Sequence, residues 1–212
     1  MITLEDLSIL NVQEFKEENS DFIIREKDNN FIMELSVNSV EKKIFNVFSK
    51  KTNGKKQNDN SKLIFLSFLN FPDGVYLEVE DSLIKCHIFE LKKTPVSSTK
   101  LNLICKQFLS AKFHLISLLS IIEIDMSKVE FLYYVAYVND IEKRDRFNLT
   151  QPRKVVSGES VSTVRHIEDW LNSKLELKLG RYIFSEEISK IQMDHEQNID
   201  GIDIYRKETV LL

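Results

Sequence analysis

Asn70-Phe-Pro-Asp-Gly-Val-Tyr-Leu-Glu-Val-Glu-Asp-Ser-Leu-Ile-Lys-Cys-His-Ile-Phe-Glu-Leu-Lys-Lys93 is the stretch on which the fold turns. After Pro72-Asp73, Val75, Leu77 and Val79 alternate with Tyr76, Glu78 and Glu80, Asp81-Ser82 supplies a turn, and the chain returns from Leu83 to Lys93. A period of two marks a strand with one buried face, so the pair of runs predicts an antiparallel hairpin. On the return strand Ile84, Cys86, Ile88, Glu90 and Lys92 share one face, so an apolar row ends in an acid and a base. Charges there require water, a metal or partners, because burial without them is costly. The hairpin folds Asp73 back beside Glu90. Two such acids chelate a hard divalent cation through oxygen, and a neighbouring ammonium holds a phosphate or positions a water.

Outward from the hairpin, Ser36 or Asn38 caps a helix expected over residues 37–50, with Val40, Ile44, Val47 and Phe48 at helical spacing and Glu41, Lys42 and Lys43 on its polar side. Residues 52–61 form a polar, glycine-containing loop, and Leu63-Ile-Phe-Leu-Ser-Phe-Leu69 reads as a strand buried on both faces. Beyond the hairpin, Leu101, Ile104, Cys105, Phe108, Leu115, Ile116 and Leu119 give residues 99–121 the apolar stripe of a helix. Lys100, Gln107 and His114, seven apart, project on nearly one side of it. Residues 129–138, rich in Tyr, Phe and Val, return as a core strand. The predicted class is α/β (α+β): a mixed central sheet flanked by helices, in the order α-β-β-β-α-β.

Pro72-Asp73, followed after sixteen intervening residues by Glu90-Leu91-Lys92 on an apolar strand, resembles the PD-(D/E)xK nuclease superfamily, the restriction-endonuclease-like fold. The similarity spans residues 36–139. It implies that Asp73 and Glu90 hold Mg2+ or Mn2+ together with the backbone carbonyl of Leu91, and that Lys92 orients or activates the attacking water. It also implies an acid on the preceding helix, for which Glu41 is the better match and Glu34 the second, and a glutamine on the following helix, where Gln107 falls. Lys93 and Lys100 are expected to contact nucleic acid.

At 212 residues the chain suits one elaborated domain: an N-terminal extension over 1–35, the nuclease-like core over 36–139 and an accessory region over 140–212. Within the extension, Phe22-Ile23-Ile24 and Phe31-Ile32-Met33 read as short strands, and in the accessory region residues 160–178 read as a helix with Val164, Ile167, Trp170, Leu171 and Leu175 inward. Five glycines and three prolines exclude collagen-like and low-complexity architectures. Cys86 and Cys105 sit in no ligand pattern and read as small buried apolar side chains. Asp194-His195-Glu196 are consecutive and therefore diverge rather than converge on an ion. The start lacks a signal-peptide pattern and no stretch is expected to span a bilayer, so a cytoplasmic protein is predicted.

The net charge of −4 argues against coating nucleic acid over the whole surface. Its distribution fits a local basic flank: Lys42, Lys43, Lys50, Lys51, Lys55, Lys56 and Lys62 precede the motif, and Lys85, Lys92, Lys93, Lys100, Lys106 and Lys112 continue through it. The expected function is a metal-dependent endonuclease acting on DNA in phage defence, restriction or repair, as a homodimer or with a partner protein of a defence complex. Two alternatives stand beside it. One is a catalytically silent nucleic-acid-binding or assembly subunit on the same scaffold. The other is an α/β interaction protein in which the motif is accidental.

Overall fold

The computed structural model describes residues 16–18, 21–39, 44–49, 71–80, 83–95, 97–140, 168–179 and 181–210. Its elements are β1 (Lys16–Glu18), β2 (Asp21–Asp28), β3 (Phe31–Asn38), β4 (Ile44–Ser49), β5 (Gly74–Val79), β6 (Ile84–Lys92), helix α1 (Ser98–Ile121), a 3-10 turn at Met126–Lys128, β7 (Val129–Tyr137), β8 (Lys174–Leu179), β9 (Tyr182–Glu187), β10 (Ser189–Gln192), β11 (Asp194–Ile199) and β12 (Ile202–Val210). The class is mixed α+β, dominated by strands.

The central sheet has the order β1-β4-β5-β6-β7-β10. Strands β4, β5 and β6 form an antiparallel meander, the long helix carries the chain across, and β7 lies parallel to β6 with Ile84 opposite Val129. Strand β10 then adds in parallel beside β7. The expected hairpin is present, closed by the Glu80 N–H on the Leu83 carbonyl.

Period-two alternation divides this sheet between two cores. Val75, Leu77, Ile84, Cys86, Ile88, Tyr133 and Val135 pack with Leu101, Ile104, Cys105, Phe108 and Leu115 of α1 on one face. Tyr76, Phe89, Leu91 and Ala136 pack on the other against Phe22, Ile24, Met33, Leu35 and Val37. That second face is covered by a four-stranded sheet, β11-β12-β3-β2, where a helix was expected. In it β12 runs parallel to β3, with Tyr205 opposite Met33, so strands far apart in the chain share one layer. The β8–β9 hairpin supplies Leu175, Leu177 and Phe184 to the α1 side.

Helix α1 starts where Ser97 accepts the Lys100 N–H at 3.3 Å, and it ends before Glu123, which takes φ 57°. By length and composition Thr99–Ile121 is apolar enough to cross a bilayer, contrary to the expectation that no stretch reaches that span. Half of it is buried inside the molecule, where its apolar face closes the core.

Two predicted helices are corrected. Within 37–50, residues 37 and 38 end β3 and 44–49 form β4. Ile44 faces the second-sheet core while Phe45 and Val47 face α1. A short apolar run buried on both faces satisfies helical spacing by chance, and β-branched and aromatic residues then favour the strand. In the late segment, residues 168–171 are helical, but Ser173 at φ 55° ends the turn and β8 begins at Lys174. Leu171 is exposed as a result, while Leu175 and Leu177 alternate inward. The strand expected at 63–69, the loop at 52–61 and Glu41 lie outside the described residues.

Candidate active site

Strand β6 continues past the start of β5, and the motif occupies that step. The Asp73 N–H bonds to the Phe89 carbonyl at 3.0 Å, and its carboxylate Oδ2 accepts the Leu91 N–H at 2.7 Å. Asp73 is thus strapped to the backbone on both sides of Glu90, and its side chain replaces the strand partner that Leu91 lacks there. Both acids are buried, Asp73 at 1% and Glu90 at 0% exposure.

Glu90 Oε1 accepts from Gln107 Nε2 at 2.8 Å and is ion-paired with Lys92. The same Gln107 amide nitrogen also donates to the Phe71 carbonyl at 3.1 Å, which ties α1 to the segment leading into Asp73. Gln107 Oε1 is buried and accepts no hydrogen bond among the described residues. The Lys92 ammonium lies 3.1 Å from the Leu91 carbonyl and 3.4 Å from Glu26 Oε1 of β2. Burial alone would lower the Lys92 pKa, but the charges of Glu90, Asp73 and Glu26 outweigh it and hold the amine protonated well above its ordinary range.

Lys92 and Gln107 therefore both contact Glu90, the Leu91 carbonyl lies against the same amine, and Asp73 is bonded to the neighbouring Leu91 N–H. Glu34 is not among them. It lies on the outer face of β3, paired with Arg25 at 2.7 Å and Arg206 at 2.8 Å. Glu26 is absent from the set expected from sequence, although its signal was available: Phe22, Ile24 and Glu26 form an inward row ending in an acid, as the row ending in Glu90 does. Gly74 helps β2 approach, since a Cβ there would stand 2.8 Å from Tyr76 Cε2 and 3.3 Å from Ile24.

The donor atoms are hard oxygens, which suits Mg2+ or Mn2+ and not a thiolate metal. Cys86 and Cys105 lie in the α1-side core as free thiols, and burial pushes the Cys105 thiol up to about 12. No group of three or more His, Cys, Asp or Glu stands close enough to share an ion among the described residues. Asp194 and Glu196 turn to different cations, Lys207 and Arg206, while His195 stands 3.6 Å from Asp203.

The basic flank is partly neutralised within the molecule. Lys85 pairs with Glu78 and Glu80, Lys93 with Asp203 at 3.3 Å, and Lys112 with Glu186 at 2.5 Å. The Lys93 ammonium also lies over the rings of Phe31 and Tyr205, directed at the second sheet. Lys100 is half-buried in the first turn of α1. All seven lysines from Lys42 to Lys62 that precede the motif lie outside the described residues.

His87 faces the second-sheet side, as expected, and its Nε2 lies 2.8 Å from buried Glu78 and its Nδ1 3.1 Å from the Tyr134 hydroxyl. His114 meets the Phe71 ring edge-on at 5.7 Å, and burial lowers its pKa from the ordinary 6.5. The unfolded chain therefore takes a proton near that value which folded His114 refuses until a lower pH. Stability should fall as pH drops through this window, and His114→Phe should flatten the fall. Urea midpoints between about pH 8 and about pH 5.5 read this directly, and parallel curves for the two proteins would refute it.

No family model, no curated protein and no solved structure matches this chain.

Proposed function

We propose that the protein is a Mg2+- or Mn2+-dependent nuclease of the restriction-endonuclease-like kind, acting on DNA. The observation that carries this reading is the contact of Glu90 with Lys92 and Gln107 at one sheet end, with the Leu91 carbonyl on the same amine and Asp73 bonded to the Leu91 N–H. The meander β4-β5-β6, helix α1 and parallel β7 support it, because the acid pair sits at the start of the middle strand and the end of the third. The fit to a hard cation rests on the all-oxygen donor set and on Gln107 Oε1, a buried acceptor of the kind satisfied by a hydrated ion.

Asp73, Glu90 and the Leu91 carbonyl would hold the ion, with Glu41 as a further acid from a segment outside the described residues. When bound, the metal stabilises negative charge on the phosphate and eases formation of the hydroxide nucleophile. The chain's own residues do the rest. Gln107 fixes the orientation of the Glu90 carboxylate. Lys92 donates N–H to a phosphate oxygen or to the attacking water, from a side chain mostly withdrawn from solvent. The lysines of residues 42–62, together with Lys100, would follow the sugar-phosphate backbone.

Nicking of supercoiled plasmid by the purified protein in Mg2+, lost with EDTA and lost in Glu90→Gln, is the expected result. Wild-type protein inert in both Mg2+ and Mn2+, or Glu90→Gln as active as wild type, would sink it. The silent-scaffold reading draws on a specific contact, the Lys92 ammonium resting on Glu90 and the Leu91 carbonyl. Plasmid retention in a gel shift without any nicking would select it.

A further inference from the structure

Three oxygens from three places converge on the Lys92 ammonium: Glu90 Oε1, the Leu91 carbonyl at 3.1 Å and Glu26 Oε1 at 3.4 Å. Two of the three are oxygens that the nuclease reading, on which this inference rests, assigns to a divalent cation. An ammonium and a dication repel each other, so holding both on these oxygens is costly. We propose that Glu26 is the positioning residue for Lys92, the acceptor that draws the ammonium away from Glu90 and the Leu91 carbonyl when a divalent cation binds.

Glu26 is placed for this by the core. Phe22, on the same inward face of β2, stacks on Tyr76 at 3.8 Å, and Ile24 is buried against Gly74. The carboxylate that follows them is presented from the second sheet, whereas Glu90 and Leu91 belong to β6 of the central sheet. An ammonium carries three hydrogens and can release two acceptors while keeping a third. Its freed hydrogens then point to the place a phosphate would take. The second sheet in this way becomes part of the site. A role limited to packing predicts no link between Glu26 and metal affinity, and none that depends on Lys92.

The test is a double-mutant cycle on the full chain, read by Mn2+ titration calorimetry, with circular dichroism confirming that each variant is folded. Glu26→Gln should weaken Mn2+ binding about tenfold, as expected for loss of an outer carboxylate that orders a metal site. Lys92→Met should bind Mn2+ at least as tightly as wild type, since the competing charge is gone. In the Lys92→Met background Glu26→Gln should have no effect. An equal loss in both backgrounds would make Glu26 a direct ligand and overturn the proposal, as would no loss in either. Failure of the wild type to bind Mn2+ would overturn the nuclease reading with it, whereas Mn2+ binding abolished by Asp73→Asn but indifferent to Glu26 would overturn this inference alone.

Discussion

Lys92→Met is expected to lower Mg2+-dependent cleavage by about 10²- to 10³-fold while the protein remains folded and still binds Mn2+. The amine contacts Glu90 and feels the charge of Asp73, and the surrounding carboxylates hold it protonated, so in the proposed reaction it would serve as a donor to negative charge rather than as a base. Single-turnover rates on a labelled duplex report the loss, and a rate within a few-fold of wild type would remove Lys92 from the chemistry. The choice of substitution at Asp73 matters as much. Asp73→Ala strips the acceptor from the buried Leu91 N–H, which costs about 1–3 kcal/mol of stability in addition to any catalytic effect. Asp73→Asn retains a carbonyl for that bond and removes only the charge. The two variants should therefore be equally inactive but differ in urea midpoint, and equal midpoints would show that the strap on Leu91 is energetically idle.

Trp170→Ala should cost about 3–5 kcal/mol, a loss at the top of the range for truncating a single buried side chain. The ring is 0% exposed, meets Tyr137 edge-on at 5.5 Å, lies under the Lys190 ammonium at 5.2 Å and donates its indole N–H to Asp140 at 3.2 Å. Truncation leaves a cavity, withdraws a donor from Asp140 and loosens the attachment of the late segment to the central sheet. Chemical denaturation checks it. A loss under about 1 kcal/mol would mean that the segment repacks, and that Trp170 is not the anchor its burial makes it.

Much of the site was legible because its signals are local. The inward row Ile84, Cys86, Ile88, Glu90 and Lys92 is a period-two pattern, and Gln107 falls on a helix whose apolar stripe is written in its own residues. His87 was placed on the opposite face by the same alternation. For Glu26 the local pattern gives only the inward row Phe22, Ile24 and Glu26; that this row ends at Lys92 is decided when β2 docks across the sheet, by partners distant in the chain. Glu34 illustrates the converse: an acid close in sequence to the expected position is turned outward by the pleat and absorbed by Arg25 and Arg206.

Sequence by itself determined the β5–β6 hairpin, the long helix, the return strand β7 and the burial of both cysteines, because hydrophobic period, turn chemistry and capping act over a few residues. Tertiary structure alone decided that residues 44–49 are a strand, that residues 174–179 leave the helix to pair with β9, and that β12 lies parallel to β3. Those choices depend on partners distant in the chain. The free energy of pairing and burial is supplied by the other strand or the other layer, so no periodicity within the segment itself can announce it.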